Sequence, residues 1–434
     1  MREKQILIRN ARFIIGVKQN YDICIRSNAD ILIEDGKITC IGKECNKPRG
    51  TEVIDASNHL IIPGLINGHT HAAMVFLRGS LPDHEFWNWL SRIISIEEKI
   101  LSPKLIYDAS RLACIEMLFS GTIGFIDMYY YPEETIKACS QLGLYVLAGP
   151  IPVNDADLQY YISLARNYPR YKPIINVHSL YSVDEESLVK AVKLAKRYEL
   201  PLNIHVSETR REVYMIKEKT GKWPVEYMSE IGLLGNKTIL VHLNWLLSSE
   251  IYLLKESGSS VVVCPHSGMR LATAGFAPVY ELLREGVKLT VGTDGSSGDR
   301  IDVIEEIRQL ILLYRHNYWD TRLGVEWVVP RIILNGYKIA GIDGGYVEEG
   351  APANLSLLRI IPYRHEPIVE SNALSVLALT NCFHADYTII DGEIVLGDAN
   401  RDELLEEASS IAEWIRENIS NLIDYREGIL GKKH

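Results

Sequence analysis

The stretch Pro63-Gly64-Leu65-Ile66-Asn67-Gly68-His69-Thr70-His71 decides the fold, because it joins an apolar run to a pair of histidines. The run His59-Leu60-Ile61-Ile62 leads into it and predicts a buried strand. Residues two apart on a strand point to the same side, so His69 and His71 can offer their imidazoles to one metal ion. The pair alone is weak evidence, because satisfied histidines in a core or on a surface show the same spacing.

Downstream of this stretch, short apolar segments alternate with helical ones such as Glu185–Tyr198. A strand and helix pair repeated eight times predicts an α/β fold with a (β/α)8 TIM-type barrel. The predicted strands are Leu60–Asn67, Thr122–Met128, Tyr145–Gly149, Ile174–His178, Leu202–Val206, Thr238–Leu243, Ser260–Cys264 and Lys288–Thr293.

Both ends of the chain carry an Asp-Gly pair between apolar runs, Asp35-Gly36 and Asp391-Gly392. Each pair predicts a β-hairpin. The match suggests one small β-sandwich domain formed from both termini, although two unrelated edge hairpins would give the same pattern. We therefore predict a composite β-sandwich of residues 1–61 and 346–400, a barrel of residues 62–345, and a C-terminal helix of residues 401–434 packed on the body.

The composition limits the partners and the location of the protein. Its formal net charge of −10 offers no basic surface for nucleic acid. No apolar run approaches the roughly 20 residues that span a bilayer, and the N-terminus lacks the apolar core of a signal peptide. The seven cysteines are scattered at positions that fit no disulfide framework, so the sequence indicates a reducing cytoplasm.

Polar side chains follow most of the predicted strands, at the end where barrel enzymes place their chemistry. The histidines among them are His69, His71, His178, His205 and His242. With Asp294, three of these histidines would supply three nitrogens and one carboxylate, leaving a coordination position for water. Glu208 and His242 lie where they can move protons or orient that water. An ordinary first-turn glutamate and a core histidine would also fit these two positions.

The sequence resembles the amidohydrolase superfamily, and within it the mononuclear aminohydrolase branch of 5-methylthioadenosine/S-adenosylhomocysteine deaminases and chlorohydrolases. The matching motifs lie between about residue 55 and residue 310; they are Pro63–His71, His205-Val206-Ser207-Glu208-Thr209, Val241-His242-Leu243 and Gly292-Thr293-Asp294-Gly295. The two-metal branch is disfavoured, because His178 stands where that branch has a metal-bridging lysine.

The resemblance implies a metal site and a set of catalytic residues. The implied ligands of one divalent metal ion, usually Zn²⁺ with Fe²⁺ as the alternative, are His69, His71, His205 and Asp294. Asp294 would also take a proton from the attacking water, and His242 would hydrogen-bond that water. Glu208 would bind the substrate ring and donate a proton to its nitrogen.

The resemblance also implies substrate contacts. His178 matches a substrate-binding histidine, and Glu97 matches a glutamate that binds ribose hydroxyls, although neighbouring Glu98 competes for that alignment. Two segments depart from the family pattern: Leu147–Val153 lacks an arginine for the carboxylate of adenosylhomocysteine, and Cys264–Arg270 replaces an Asn-Pro-x-Ser-Asn-type loop. In that loop, the sequence is equally consistent with His266 contacting the substrate and with His266 having no function.

The implied partner is a small heterocyclic substrate, with no nucleic acid and no membrane. An adenosine-type nucleoside such as methylthioadenosine is the first expectation for this deaminase. A triazine chlorohydrolase or aminohydrolase and a guanine deaminase-like enzyme would use the same centre. The alternative from outside the enzymes is a non-catalytic barrel whose histidines hold a structural metal or no metal. Apolar barrel helices and the resemblance together favour a homo-oligomer.

Overall fold

The structure, a computed structural model, describes residues 5–81, 83–151, 154–298, 300–380 and 383–419. In chain order its strands are β1 Ile6–Val17, β2 Ile23–Glu34, β3 Lys37–Gly42, β4 Glu52–Asp55, β5 His59–Pro63, β6 Leu65–His71, β7 Thr122–Asp127, β8 Tyr145–Ala148, β9 Tyr171–Pro173, β10 Ile175–Ser179, β11 Leu202–Val206, β12 Thr238–His242, β13 Ser260–Val263, β14 Lys288–Val291, β15 Asp294–Gly295, β16 Leu355–Arg359, β17 Ala385–Ile390 and β18 Glu393–Leu396.

The helices alternate with the middle strands and follow them. In chain order they are α1 Phe86–Ile100, α2 Pro103–Phe119, α3 Pro132–Ser140, α4 Asp155–Leu164, α5 Glu185–Tyr198, α6 Arg210–Thr220, α7 Pro224–Glu230, α8 Ser248–Ser257, α9 Pro265–Arg270, α10 Val279–Arg284, α11 Val303–Tyr318, α12 Val325–Ala340, α13 Pro362–His365, α14 Ala373–Thr380 and α15 Arg401–Asn418. A 3-10 helix, Ala72–Leu77, follows β6 directly.

The middle strands close into the predicted (β/α)8 barrel. They pair in two five-stranded arcs, β15-β6-β7-β8-β9 and β10-β11-β12-β13-β14. The arcs join because β9 and β10 are consecutive pieces of one segment of chain, as are β14 and β15. Asp294 pairs in parallel with Thr70, which connects the last strand to the first. Parallel strands place their carboxyl ends at one rim, where the polar residues of the sequence follow.

The opening stretch differs from its prediction in one respect. The apolar run and the two histidines do not share a strand, because β5 ends at Pro63 and β6 begins at Leu65. Strand β5 pairs with β1 and β16, whereas β6 pairs with β7 and β15. Proline cannot donate a ladder hydrogen bond. At Gly64, an added Cβ would lie 2.4 Å from Ile123 Cγ2, so only glycine fits at this change of sheet.

Strands from both ends of the chain form a second sheet, in the order β18-β17-β16-β5-β1-β2-β3 with β4 beside β1. Both predicted hairpins are confirmed, with Asp35 and Asp391 in the left-handed region at φ 50° and 51°. Gly392 donates its N–H to Ala353 O and Ala353 donates to Gly36 O, so the two turns meet. The sheet therefore folds over one shared core, whose members include Ile8, Ile33, Ile61, Leu357 and Ile389.

The described residues group into two compact units. One comprises Met1–Asn67, Ile115–Gly124 and Asp302–Leu405; the other comprises Gly68–Cys114, Phe125–Ile301 and Glu406–His434, each within the described ranges. Every residue of the candidate site belongs to the second unit. The predicted domain bounds stay a prediction. Helix α15 lies within the predicted C-terminal helix, whose later residues fall outside the described ranges, and Arg111 donates to Glu407 on it.

The prediction that the cysteines form no disulfides is wrong. Cys40 pairs with Cys45, and Cys114 on α2 pairs with Cys139 on α3, with Cα atoms 5.9 and 5.7 Å apart. Their spacing along the chain matches no motif, because the packing of α2 against α3, and not a local pattern, brings the second pair together. Among the described helices, none combines the length and the apolar character that crossing a bilayer requires.

Candidate metal centre

The predicted ligands meet at the carboxyl rim of the barrel. His69 Nε2 lies 2.9 Å from His205 Nε2. His71 Nε2 lies 3.1 Å from Asp294 Oδ1, and His69 Nε2 lies 3.7 Å from the same oxygen. One ligand atom from each of these four residues falls within 4.8 Å of every other. His69 and Asp294 are 225 positions apart in the sequence and yet belong to one cluster, as the sequence predicted.

Local backbone geometry explains this convergence. Strand alternation puts His69 and His71 on the same side of β6. At Gly292 an added Cβ would lie 2.6 Å from the backbone nitrogen of His69, so glycine allows the last strand to approach the first. Asp294 has φ 58°, a left-handed conformation that is uncommon for residues with a side chain and that aims its carboxylate at the histidines.

The donor set fits a divalent cation. His71 Nδ1 faces Met128 O, and His205 Nδ1 donates to His178 O at 2.7 Å. Protonation at Nδ1 leaves the Nε2 lone pair of each ring directed into the cluster. When His69 Nε2 also carries a lone pair, the two nitrogens, 2.9 Å apart, repel each other, and a metal ion between them removes this repulsion. Three imidazoles and one carboxylate are a donor set that zinc accepts.

Burial sets the charges at the centre. It lowers the pKa of His69 and lowers that of His205 well below the ordinary value, which favours the neutral ligand forms. Burial also raises the pKa of Asp294, but hydrogen bonds with His69 and His71 outweigh it and hold that pKa well below its usual range. His69 and His205 are therefore favoured as neutral imidazoles and Asp294 as an ionised carboxylate, the protonation states in which these groups bind metals. Asp294 and the carbonyl of Met128 outweigh burial at His71 and raise its pKa.

Glu208 and His242 form a second buried group beside the ligands. His242 Nε2 lies 3.6 Å from Glu208 Oε2 and 3.9 Å from Asp294 Oδ2. Burial raises the pKa of Glu208 well above its ordinary value, and the negative charges of Asp294 and Glu212 raise it further. Burial lowers the pKa of His242 to about 4. These shifts favour a protonated carboxyl at Glu208 and a neutral imidazole at His242, which suits a proton donor and a hydrogen-bonding group.

Ser267 is a site residue that the sequence interpretation missed. Its hydroxyl donates to Asp294 Oδ2 at 2.5 Å. In the loop Cys264–Arg270, only His266 is a candidate from the sequence, and it lies half-buried on α9. The position of Ser267, four residues after the end of β13 at the catalytic rim, was the available signal.

The two predicted substrate contacts lie near different ligands, Glu97 near His71 and His178 near His205. The Glu97 side chain is buried and accepts a hydrogen bond from the Tyr129 hydroxyl, whereas Glu98 is exposed. Burial raises the pKa of Glu97 to about 7. The ring of His178 lies 5.2 Å from that of His205, between centroids. Beyond it, His178 and Tyr181 are 6.0 Å apart, again between centroids.

A closed barrel with three imidazoles, one aspartate and a buried glutamic acid at its carboxyl rim defines a metal-dependent barrel hydrolase. Comparison with known families makes this specific. The chain belongs to the amidohydrolase family, whose model matches residues 60–395. The resemblance found in the sequence motifs is therefore confirmed.

Relatives and solved structures agree with this assignment. A 5'-deoxyadenosine deaminase from Methanothrix thermoacetophila is 34% identical, covering 88% of this chain and 94% of the relative. A 5-methylthioadenosine/S-adenosylhomocysteine deaminase from Pyrococcus furiosus is 32% identical, covering 94% and 100%. An adenosine deaminase from Xanthomonas campestris with bound zinc has a TM-score of 0.85 at 24% identity, covering 95% of this chain and 99% of that one. An atrazine chlorohydrolase from Arthrobacter aurescens with zinc has 0.83 at 20% identity, covering 94% and 99%. The two structures establish the shared fold.

Proposed function

We propose that this protein is a zinc-dependent aminohydrolase that deaminates the purine ring of an adenosine-type nucleoside, with a 5'-modified adenosine such as 5-methylthioadenosine as its substrate class. The observation that carries the proposal is the cluster of His69, His71, His205 and Asp294, with Glu208 and His242 beside it. Deaminases of 5'-deoxyadenosine and of 5-methylthioadenosine/S-adenosylhomocysteine are 32–34% identical over most of the chain and support this substrate class.

The residues divide the reaction between them. His69, His71, His205 and Asp294 would hold the metal ion, which when bound supplies a Lewis acid and lowers the pKa of water to about 7. Asp294 Oδ2, which faces Ser267 and His242, accepts the proton of the attacking water. His242 hydrogen-bonds that water.

Glu208 donates its proton to the ring nitrogen next to the amino-bearing carbon, because its raised pKa favours the protonated form of its carboxyl group. This protonation makes the amino-bearing carbon a better electrophile, and the oxygen of the attacking water bonds to that carbon. The proton that Asp294 accepted then passes to the amino group, which leaves as ammonia, and the remaining hydroxyl proton returns to Glu208 as the carbonyl of the product forms. Glu97 accepts hydrogen bonds from the ribose hydroxyls, and His178 contacts the purine.

Deamination of purine nucleosides changes the ultraviolet spectrum, which gives a direct test. Purified zinc-loaded protein is offered 5-methylthioadenosine, S-adenosylhomocysteine, 5'-deoxyadenosine, adenosine, guanine, an aminotriazine and a chlorotriazine, with ammonia and chloride measured in parallel. Ammonia release from the adenosine nucleosides supports the proposal. Chloride release from the chlorotriazine, or turnover of guanine only, would replace it by one of the alternatives.

The substitution Glu208→Gln tests the proton donor. It keeps the size of the side chain but removes the acidic proton, so we expect a loss of kcat of at least about 1,000-fold with unchanged zinc content by metal analysis. As a control, His205→Ala removes a proposed ligand and should lower zinc content and turnover together. Full activity of Glu208→Gln would remove Glu208 from the mechanism, and unchanged zinc in His205→Ala without turnover of any heterocycle would support a non-catalytic barrel.

We also place this activity in the cytoplasm, and we expect a homo-oligomer. The disulfide Cys114–Cys139 is compatible with this location, because disulfides also occur in the cytosolic proteins of hyperthermophiles. Light scattering of the purified protein measures its oligomeric state.

A further inference from the structure

Glu212 is a buried carboxylate close to the proposed proton donor, and the reaction described above gives it no role. Its side chain on α6 is 0% exposed. Oε1 accepts the backbone N–H of Ser207 at 2.9 Å, and Oε2 accepts the backbone N–H of Glu208 at 2.8 Å. Among the described residues, no lysine, arginine or histidine forms an ion pair with it. Backbone amides of the segment that carries Glu208 are therefore its main polar partners.

This arrangement differs from an ordinary helix start. Thr209 caps α6, and its hydroxyl accepts the N–H of Glu212 at 3.1 Å. In a capping box the glutamate would bond chiefly to the backbone N–H of the capping residue. Here the N–H of Thr209 is 3.5 Å from Glu212 Oε2, whereas the shorter bonds reach the two residues before the cap. Glu212 thus stabilises the link between β11 and α6 in addition to the helix itself.

The segment between β11 and α6 needs this stabilisation, because its backbone conformation is unfavourable. Ser207 has φ 52°, in the left-handed region that residues with side chains rarely adopt. This conformation turns the chain sharply after β11, and Glu208, the next residue, thereby reaches 3.6 Å from His242 Nε2. Strained conformations of this kind persist where the surrounding contacts hold them. The carboxylate of Glu212 supplies two of those contacts.

We propose that Glu212 is a positioning residue for deamination: through the backbone N–H groups of Ser207 and Glu208, it holds the Glu208 carboxyl in line with the substrate ring nitrogen. This role rests on the proposed function of Glu208. It assigns to Glu212 no contact with substrate or metal.

The chain contains a matched control in Glu250. This glutamate on α8 is also 0% exposed. Its Oε2 accepts the N–H of Leu247 at 2.9 Å and its Oε1 accepts the N–H of Val225 at 2.9 Å. Neither of these two residues belongs to the candidate site. Loss of a buried carboxylate bonded to two amides is therefore common to Glu212→Gln and Glu250→Gln, whereas displacement of Glu208 is specific to the first.

The experiment compares the two variants on the nucleoside that the wild type deaminates best. A glutamine can accept only one of the two N–H groups, because its amide nitrogen is itself a donor. Both variants should lose thermal stability. We expect kcat of Glu212→Gln to fall about 100-fold, since a misplacement of about 1 Å can have that effect, with KM within about threefold and zinc content unchanged. For Glu250→Gln, we expect kcat within about twofold of the wild type.

A double-mutant cycle provides the second readout. If Glu212 acts through Glu208, the variant Glu208→Gln/Glu212→Gln should be no more than about threefold slower than Glu208→Gln alone. If Glu212→Gln does not fold, Glu212→Asp keeps the charge, shortens the reach and should lower kcat about 10-fold with KM unchanged. Equal kcat losses in Glu212→Gln and Glu250→Gln, or losses that multiply in the double variant, would overturn the role. A wild type without turnover of any nucleoside would instead overturn the proposed function and this role with it.

Discussion

At the scale of single residues, the two carboxylate oxygens of Asp294 have different neighbours. Oδ1 faces His69 and His71, and Oδ2 faces Ser267 and His242. One oxygen is thus available to the metal ion while the other is available to a proton. The positive φ of Asp294 fixes this orientation, because the backbone of Asp294 pairs with Thr70 of β6. The backbone conformation of Asp294 therefore decides which oxygen points at His69 and His71 and which points at Ser267.

The substitution Ser267→Ala tests this division. Ser267 donates to Oδ2, the oxygen that we propose accepts the proton, and hydrogen bonds to charged groups contribute about 1.5–3 kcal/mol. We expect kcat to fall about 10- to 100-fold, with zinc content and KM close to those of the wild type. Steady-state kinetics and metal analysis measure these quantities.

Ser259→Ala serves as the control for this variant, because Ser259 lies directly before β13 and Ser267 follows the same strand at its other end. The hydroxyl of Ser259 bonds to Gly235 O, away from the metal centre. An equal loss of kcat in both variants, or none in Ser267→Ala, would contradict the orienting role of Ser267.

At the scale of secondary-structure elements, a buried aspartate ties together the sheet built from the two chain ends. Asp386 on β17 is 2% exposed. It binds His59 of β5 at 3.0 Å, Arg359 of β16 at 2.5 Å and Arg401 at 2.6 Å. Burial raises the pKa of Asp386, but these partners outweigh it and lower that pKa to about 2. The carboxylate is therefore more stable in the folded protein than in the unfolded chain.

This shift predicts a stability that depends on pH. The unfolded pKa is about 3.9, so the stabilisation is complete above it and is lost as the pH falls through the folded pKa of about 2. We expect Asp386→Asn to lower the free energy of unfolding by about 2 kcal/mol at pH 7, and by much less near pH 2. Urea denaturation across this pH range measures the difference.

An exposed ion pair gives the comparison for Asp386→Asn. Lys255 and Glu285 are 2.9 Å apart with side chains 46% and 48% exposed. Exposed pairs contribute about 0–1 kcal/mol, so Glu285→Gln should have little effect at any pH. If Asp386→Asn lowers the free energy of unfolding by the same amount at pH 7 and at pH 2, the lowered pKa of Asp386 is not the cause of the loss.

At the scale of the whole molecule, the sequence predicted those features that depend on local pattern and on barrel topology. Strands such as β11 and β12 are short, apolar and followed by polar residues, so both their positions and the placement of His205 and His242 at one rim could be inferred. The split of the opening stretch at Pro63 could not, because an apolar run has the same appearance in either sheet.

Features that depend on three-dimensional contacts were not predicted, because contacts between residues far apart in the chain leave no local sequence pattern. Cys114 and Cys139 are brought together by the packing of two helices, and Ser267 meets Asp294 only after the barrel has closed. In the sequence, Glu212 resembles any glutamate in the first turn of a helix. Its bonds to Ser207 and Glu208 depend on the left-handed conformation of Ser207, which no local sequence pattern predicts. Tertiary geometry, and not residue type, gives these four residues their importance.

The metal ion should contribute to the stability of the folded chain as well as to turnover, because its proposed ligands come from β6, β11 and β15. A ligand that binds only the folded state stabilises it by about 4 kcal/mol at a thousand times its dissociation constant. Removal of zinc with a chelator should therefore lower the melting temperature of the wild type by several degrees and abolish turnover, and added zinc should restore both. In His205→Ala, which lacks one ligand, the chelator should change the melting temperature far less. Calorimetry with parallel metal analysis measures both effects. A wild type that loses its zinc without any change in melting temperature would mean that the barrel alone holds His69, His71, His205 and Asp294 in place.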